Sequence, residues 1–138
     1  MAVKPVLLDT FAYIAFKRNQ SEAVEIIRNI EVIGVNTVII GELLGGLMIG
    51  SKSDTNRQQL QQFIDSPRVK IFPIDQYTAE YYALIYSQLR RKGKPIPTND
   101  MWIAATTIQH ELSLFTYDTD FQYIDGLSQG KCLDDFIS

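Results

Sequence analysis

The sequence predicts an α/β fold: a three-layer α/β/α sandwich around a central, mainly parallel sheet of four to five strands. Three observations predict it. Short apolar or β-branched runs alternate along the chain with longer runs of helical period. No repeat, low-complexity tract or linker interrupts them. Helix-start and helix-stop residues punctuate the longer runs. Strands that alternate with helices pair in parallel and carry helices on both faces of the sheet.

The first strand is "PVLLD" (5–9), an apolar run closed by Asp9. A short helix, "TFAYIAFKRN" (10–19), begins directly after it. "SEAVEIIRNIE" (21–31) opens on Ser21 as cap and sets Ala23, Ile26, Ile27 and Ile30 in the stripe of an amphipathic helix. Gly34 ends the connection, and the β-branched "VNTVI" (35–39) predicts the second strand. "IIGELLGGLMIG" (39–50) is helical in pattern and ends at Gly50. "SDTNRQQLQQFIDS" (53–66) is a polar helix with Leu60, Phe63 and Ile64 as its apolar side. "VKIFPI" (69–74) alternates and forms the third strand. "DQYTAEYYALIYSQLRRKG" (75–93) has Asp75 as cap, a long apolar stripe and a terminal Gly93. "NDMWIAATTIQHE" (99–111) is the next helix, and "LSLFTYD" (112–118) is the fourth strand, ending like the first at a carboxylate. The tail "KCLDDFI" (131–137) adds a short edge strand.

The 138 residues fit one domain, spanning 1–138. A chain of that size buries roughly 68% of its unfolded surface, enough for a core without staples. The single cysteine, Cys132, excludes an internal disulfide and suits a reducing cytoplasm. No apolar run approaches the ~20 residues of a membrane span. The N-terminal apolar stretch is interrupted by Asp9 and lacks a small-residue cleavage site, so it does not read as a signal peptide. The net charge of −3 argues against a surface coated in positive charge for nucleic acid, though not against a local patch. The densest such patch is "RRKGK" (90–94), which serves equally as a solvated helix end where cations favour the dipole.

Carboxylates converge in this topology. In open parallel sheets, ligands bind beyond the carboxyl ends of the strands. Asp9 closes the first strand, Asp118 and Asp120 follow the fourth, and Asp100 opens the helix that leads into the fourth. Glu42 lies about one turn into the helix after the second strand. Taken singly, each has a plainer role: Asp9 as a helix cap, Glu42 as a solvent-facing residue, Asp100 as a first-turn acid, Asp118 and Asp120 as turn formers. Together they would repel one another, and burial would push some toward the protonated form. A divalent cation removes the conflict, and hard oxygen donors favour Mg²⁺ or Mn²⁺. Gly41, Gly45 and Gly46 flank Glu42, although each glycine costs a helix about 1 kcal/mol relative to alanine. Three so close predict a helix or a ligand approaching that backbone.

On these residues the chain resembles the PIN-domain family, and within it the VapC-type toxins of bacterial toxin–antitoxin pairs. "LLDTFAYIA" resembles the family's opening strand and motif, and "GELLGG" its glutamate helix. "NDMWIAATTIQHELSLFTYDTDFQYIDGL", the most specific of the three, resembles its closing segment. The resemblance covers nearly the whole chain. It implies a PIN-like sandwich whose core acids are Asp9, Glu42 and Asp100, with a fourth acid after the last strand. Asp118 is favoured there, with Asp120 beside it, and Thr116 matches a hydroxyl position near the metal. Phe11 departs from the family, in which a small polar residue is common at that position. The activity implied is endoribonuclease cleavage of RNA with Mg²⁺ or Mn²⁺, leaving a 5′-phosphate and a 3′-hydroxyl. Asp9 and Asp100 are assigned as direct ligands, while Glu42 and Asp118 bind through water or orient it. Lys94 and Arg91, just before Asp100, are candidates for the RNA backbone, as are Lys17 and Arg18. The implied partners are a cognate antitoxin, whose tail enters the acidic groove, and a second copy of the chain in a homodimer.

Other residues invite plainer assignments. His110 lies about 15 Å along its helix from Asp100, so it reads as a helix-end residue capping carbonyls rather than as a general base. Trp102 reads as core or subunit contact. The stripe Tyr77, Tyr81, Tyr82 and Tyr86 is core packing or an interface, where aromatics are enriched. Competing functions are a catalytically silent binding scaffold, a DNA-directed nuclease, and a phosphatase. The phosphatase reading is weakened because Asp9-Thr10-Phe11 lacks the second acid of a DxD opening.

Overall fold

The computed structural model describes residues 4–137; residues 1–3 and 138, which the predicted domain span includes, lie outside it. Five parallel strands form one sheet in the order β3-β2-β1-β4-β5. β1 (Val6–Leu8) lies at the centre, fully buried, and pairs with β2 (Ile33–Asn36) on one side and β4 (Ser113–Phe115) on the other. β3 (Val69–Phe72) and β5 (Gln129–Gly130) are the edges. The chain therefore builds outward through β2 and β3, then crosses back to start β4 beside β1. That reversal creates a crevice at the carboxyl ends of β1 and β4, the position where such sheets bind ligands.

Six helices flank the sheet: α1 (Thr10–Lys17), α2 (Ser21–Asn29), α3 (Thr37–Met48), α4 (Ser53–Ile64), α5 (Gln76–Lys92) and α6 (Thr98–Gln109). None of the described helices is long and apolar enough to cross a membrane. The parallel sheet demands strands buried on both faces, and Val6, Leu7, Leu8, Leu114 and Phe115 are all fully buried.

Several boundaries differ from the sequence reading. The second strand is shifted to residues 33–36, and Thr37 already begins α3. Asn36 decides this: its side-chain oxygen accepts the Ile39 N–H at 2.9 Å, while its amide donates to Thr106 Oγ1 at 3.1 Å. A fully buried N-cap tied to α6 outweighs the β-branched run that follows it. Gly34 sits inside β2 rather than ending a connection, because a Cβ there would meet the Phe72 ring at 2.7 Å. Ser21 is not a cap; Gln20 occupies that position without a side-chain bond. α3 ends at Met48, short of Gly50. The edge strand falls at 129–130, ahead of the predicted tail, and residues 133–136 form a 3-10 turn. Asp135 closes that turn by accepting the Lys131 and Cys132 amides at 2.9 and 3.2 Å.

Candidate metal centre

Asp9 leaves β1 as the N-cap of α1 and accepts the Thr10 N–H at 2.7 Å. Its backbone N–H donates to Phe115 O at 3.0 Å, which places its side chain beside β4. There Thr116 Oγ1 donates to its other carboxylate oxygen at 2.8 Å. Capping and site geometry thus coincide in one residue. Asp9 is buried, and that burial raises its pKa; the bonds from Thr116 and Thr10 oppose the rise, and Glu42 and Asp118 add to it.

Asp118 follows β4 and caps the 3-10 turn at Thr119–Tyr123, accepting the Asp120 N–H at 2.8 Å. Thr116 also accepts the Asp118 N–H at 3.0 Å, so one hydroxyl joins Asp9 to the Asp118 loop. Asp100 stands in the first turn of α6, half-buried, with no hydrogen bond to its carboxylate among the described residues. Asp100, Asp118 and Asp120 each bring a carboxylate oxygen within 4.8 Å of the others. Burial first, then repulsion from Asp9, Asp118, Glu42 and Asp120, raises the Asp100 pKa to about 7.

Glu42 arrives from α3, exposed on the wall of the same cleft. Thr10 Oγ1 donates to one of its oxygens at 2.7 Å and Asn99 Nδ2 to the other at 3.4 Å. Neither Thr10 nor Asn99 was singled out from the sequence; their only signal was adjacency to Asp9 and Asp100. The cleft, about 420 Å³, brings Asp9, Glu42, Asp100 and Asp118 together, with Phe11 and Gly46 on its rim. Among the described residues, nothing beyond the helix's own local backbone comes within 4 Å of where a Cβ would stand at Gly41, Gly45 or Gly46. A packed helix therefore does not explain the three glycines, and Gly45 and Gly46 leave their side of the cleft open.

The basic candidates separate. Lys17 and Arg18, at the end of α1, line a pocket that adjoins the cleft. Arg91 and Lys94 line neither: Arg91 bonds Ser87 at 2.9 Å, and Lys94 lies 5.1 Å from the Tyr123 ring centre. His110 is the C-cap of α6, its backbone N–H donating to Thr106 O at 3.2 Å, and its ring packs on Phe72 at 4.7 Å. Trp102 stacks on Tyr82 at 4.2 Å, and Tyr77 and Tyr86 remain exposed on α5.

The donor set fits a hard divalent cation. Oxygens around an octahedral Mg²⁺ at about 2.0–2.1 Å lie roughly 3–4 Å apart, comparable to the spacing of the three carboxylates. The half-buried Asp100, its pKa raised to about 7 by burial and then by the neighbouring acids, has no source of compensating charge among the described residues.

Comparison with known proteins agrees with this fold. Residues 6–127 match the family described as PIN domain. Ribonuclease VapC4 of Mycobacterium tuberculosis is 34% identical over 88 residues, covering 64% of this chain and 68% of that protein. Ribonuclease VapC5 of the same organism is 29% identical over 122 residues, 87% of each chain. A solved structure of VapBC-5, a member of the VapBC family of toxin-antitoxin systems from M. tuberculosis, aligns with a TM-score of 0.70 at 25% identity, covering 92% of this chain and 96% of that one.

Proposed function

The chain belongs to the PIN domain family, and on that premise we propose that it is a metal-dependent endoribonuclease of the VapC toxin type. The observation that carries the reading is the meeting of Asp100, Asp118 and Asp120 at the carboxyl edge of the sheet. Relatives named ribonuclease support RNA as the substrate.

Asp100, Asp118 and Asp120 would hold Mg²⁺ or Mn²⁺, with Asp9 facing the same cleft. Bound there, the ion lowers the pKa of water and offsets charge developing on the phosphate. Thr116 and the Thr10 amide orient Asp9 and favour its ionised form. Thr10 and Asn99 aim the Glu42 carboxylate into the cleft, where it orients the attacking water and takes its proton. Asp100 sheds its own proton near neutral pH, so site assembly is coupled to pH. Lys17 and Arg18 would meet the RNA phosphates beside the cleft.

The same reading includes a cytoplasmic setting, a cognate antitoxin and a homodimer. A relative solved as part of a toxin-antitoxin system supports the antitoxin. The exposed Tyr77, Leu84 and Tyr86 on α5 support a subunit face.

The test is incubation of the protein with total RNA and Mg²⁺ or Mn²⁺, with and without chelator, comparing wild type and Asp100→Asn. Cleavage that needs the ion and is lost in the variant is the expected result. Cleavage that survives both treatments would sink the mechanism. Parallel incubations with single-stranded DNA and a small phosphate ester separate the other hydrolase readings.

A further inference from the structure

Beside the acidic cleft lies a second pocket of about 400 Å³, between α1, α3 and α4. It shares Thr10, Ile14, Glu42 and Gly46 with the cleft, so the two are continuous. Its volume is in the range of sites that bind small organic ligands, about 300–1,000 Å³. Ile14, Leu43 and Leu47 supply apolar walls.

The polar side chains on its other walls are Tyr13, Asn56, Gln59, Lys17 and Arg18. Among the described residues, none of these five side chains hydrogen-bonds to another part of the chain. Tyr13 is the telling case. Its ring is only 6% exposed and packs edge-on against Phe63 at 5.1 Å. No fully enclosed polar side-chain atom among the described residues lacks a partner, so the Tyr13 hydroxyl faces the open pocket rather than the packed core. Burial pushes its pKa up to about 12, which keeps it a proton donor at any working pH. Asn56 and Gln59 stand three residues apart on α4 and so share a face. Each amide offers a donor and an acceptor side by side.

A planar heterocycle carrying phosphates satisfies all of this. Its faces need apolar walls, its edge needs paired donors and acceptors, and its phosphates need cations. Single-stranded RNA is read in this way, by splayed bases whose edges are hydrogen-bonded. We propose that this pocket is a base-reading subsite, seating a nucleotide next to the scissile phosphate. Asn56, Gln59 and Tyr13 meet the base, and Lys17 and Arg18 meet the flanking phosphates. The proposal rests on the nuclease reading and adds to it a source of sequence preference.

The experiment is cleavage of short oligoribonucleotides, varied one base at a time, with Mn²⁺ present. Wild type is expected to favour one base at one position beside the cut by roughly tenfold or more. Asn56→Ala with Gln59→Ala should keep cutting but lose that preference, and Asn56→Asp should change which base is favoured. Titration of the full chain with the four nucleoside 5′-monophosphates, followed by NMR, gives a readout independent of turnover. Wild type should discriminate among them, and Tyr13→Phe should weaken the favoured one. If wild type cuts with a preference that the variants leave intact, and monophosphate binding is equally unmoved, the subsite is overturned while the nuclease reading stands. If wild type cuts no RNA with the ion present, both fall together. If the variants lose antitoxin inhibition and keep their base preference, the pocket belongs to a protein partner and the proposal is overturned.

Discussion

The N-terminus of α5 and the N-terminus of α6 each carry an aspartate, yet the two carboxylates live differently. Asp75 accepts the Tyr77 and Thr78 amides at 3.0 and 3.1 Å and lies 3.4 Å from the Gln109 amide. The Thr78 bond, chief among these, holds its pKa below the usual value. Asp100 receives no hydrogen bond among the described residues, and burial with four neighbouring acids raises its pKa to about 7. Both positions are good places for a negative charge on helix-dipole grounds. The difference is that exposed Asp75 has several donors on one carboxylate oxygen, whereas half-buried Asp100 has none among the described residues and faces like-charged neighbours. The carboxylate proposed to hold the metal differs from the helix cap in the partners it lacks.

The strongest way to break that comparison is to exchange the roles. Asp100→Asn should lower RNA cleavage on the order of 10²–10³-fold. Asp75→Asn, which keeps a capping oxygen, should leave cleavage unchanged. Equal losses in a total-RNA assay would show that Asp100 acts through folding alone.

Thr116 sharpens the comparison from the other side, because it gives Asp9 what Asp100 lacks. Removing the hydroxyl with Thr116→Val removes a bond that favours the ionised form, so the Asp9 pKa rises further. The acid limb of the pH–rate profile should move to higher pH, and Thr116→Ser should restore it. A limb that stays in place would reduce Thr116 to packing.

Stability offers a third test. Asp100 binds its proton more tightly folded than unfolded, with a pKa of about 7 against 3.8. Its contribution is therefore fully present below about pH 3.8 and is lost as pH rises through 7. At face value the shift is worth about 4 kcal/mol; half-exposed and screened, about 1–2 kcal/mol is the expectation. The metal-free protein should lose that much between about pH 4 and 7 in urea melts. The loss should shrink in Asp100→Asn and be offset by added Mn²⁺. A flat profile in the wild type would show that the cluster carries no strain.

The smallest effect belongs to the satisfied acid. Asp75→Ala removes the capping box of α5 and should lower the melting temperature by a few degrees. RNA cleavage by the folded protein should not change.

Much of this was legible along the chain. The strand–helix alternation survives in the structure, as do Asp75 and Gly93 at the ends of α5. Asp9, Asp100 and Asp118 were readable because strand ends and helix starts mark where a parallel sheet gathers its side chains. Less legible was β2, whose boundary depends on an Asn36–Thr106 bond between residues 70 apart in sequence. The edge strand β5 falls ahead of the tail where the sequence places it, because two residues carry no period, and Gly130 is required there only by the overlap a Cβ would make with Asp135.

The sequence by itself determined the fold class and which acids fall at strand ends and helix starts, because hydrophobic period, caps and element order are local properties. Only the tertiary structure decided which acids are satisfied. Thr116 reaches Asp9 across 107 residues, Thr10 holds Glu42 across 32, and Asp100 is left with burial and repulsion. It also decided that Lys17 and Arg18 stand beside the cleft while Arg91 and Lys94 do not. Burial, hydrogen bonding and like-charge proximity set a carboxylate's chemistry, and each depends on neighbours that only the folded chain brings together.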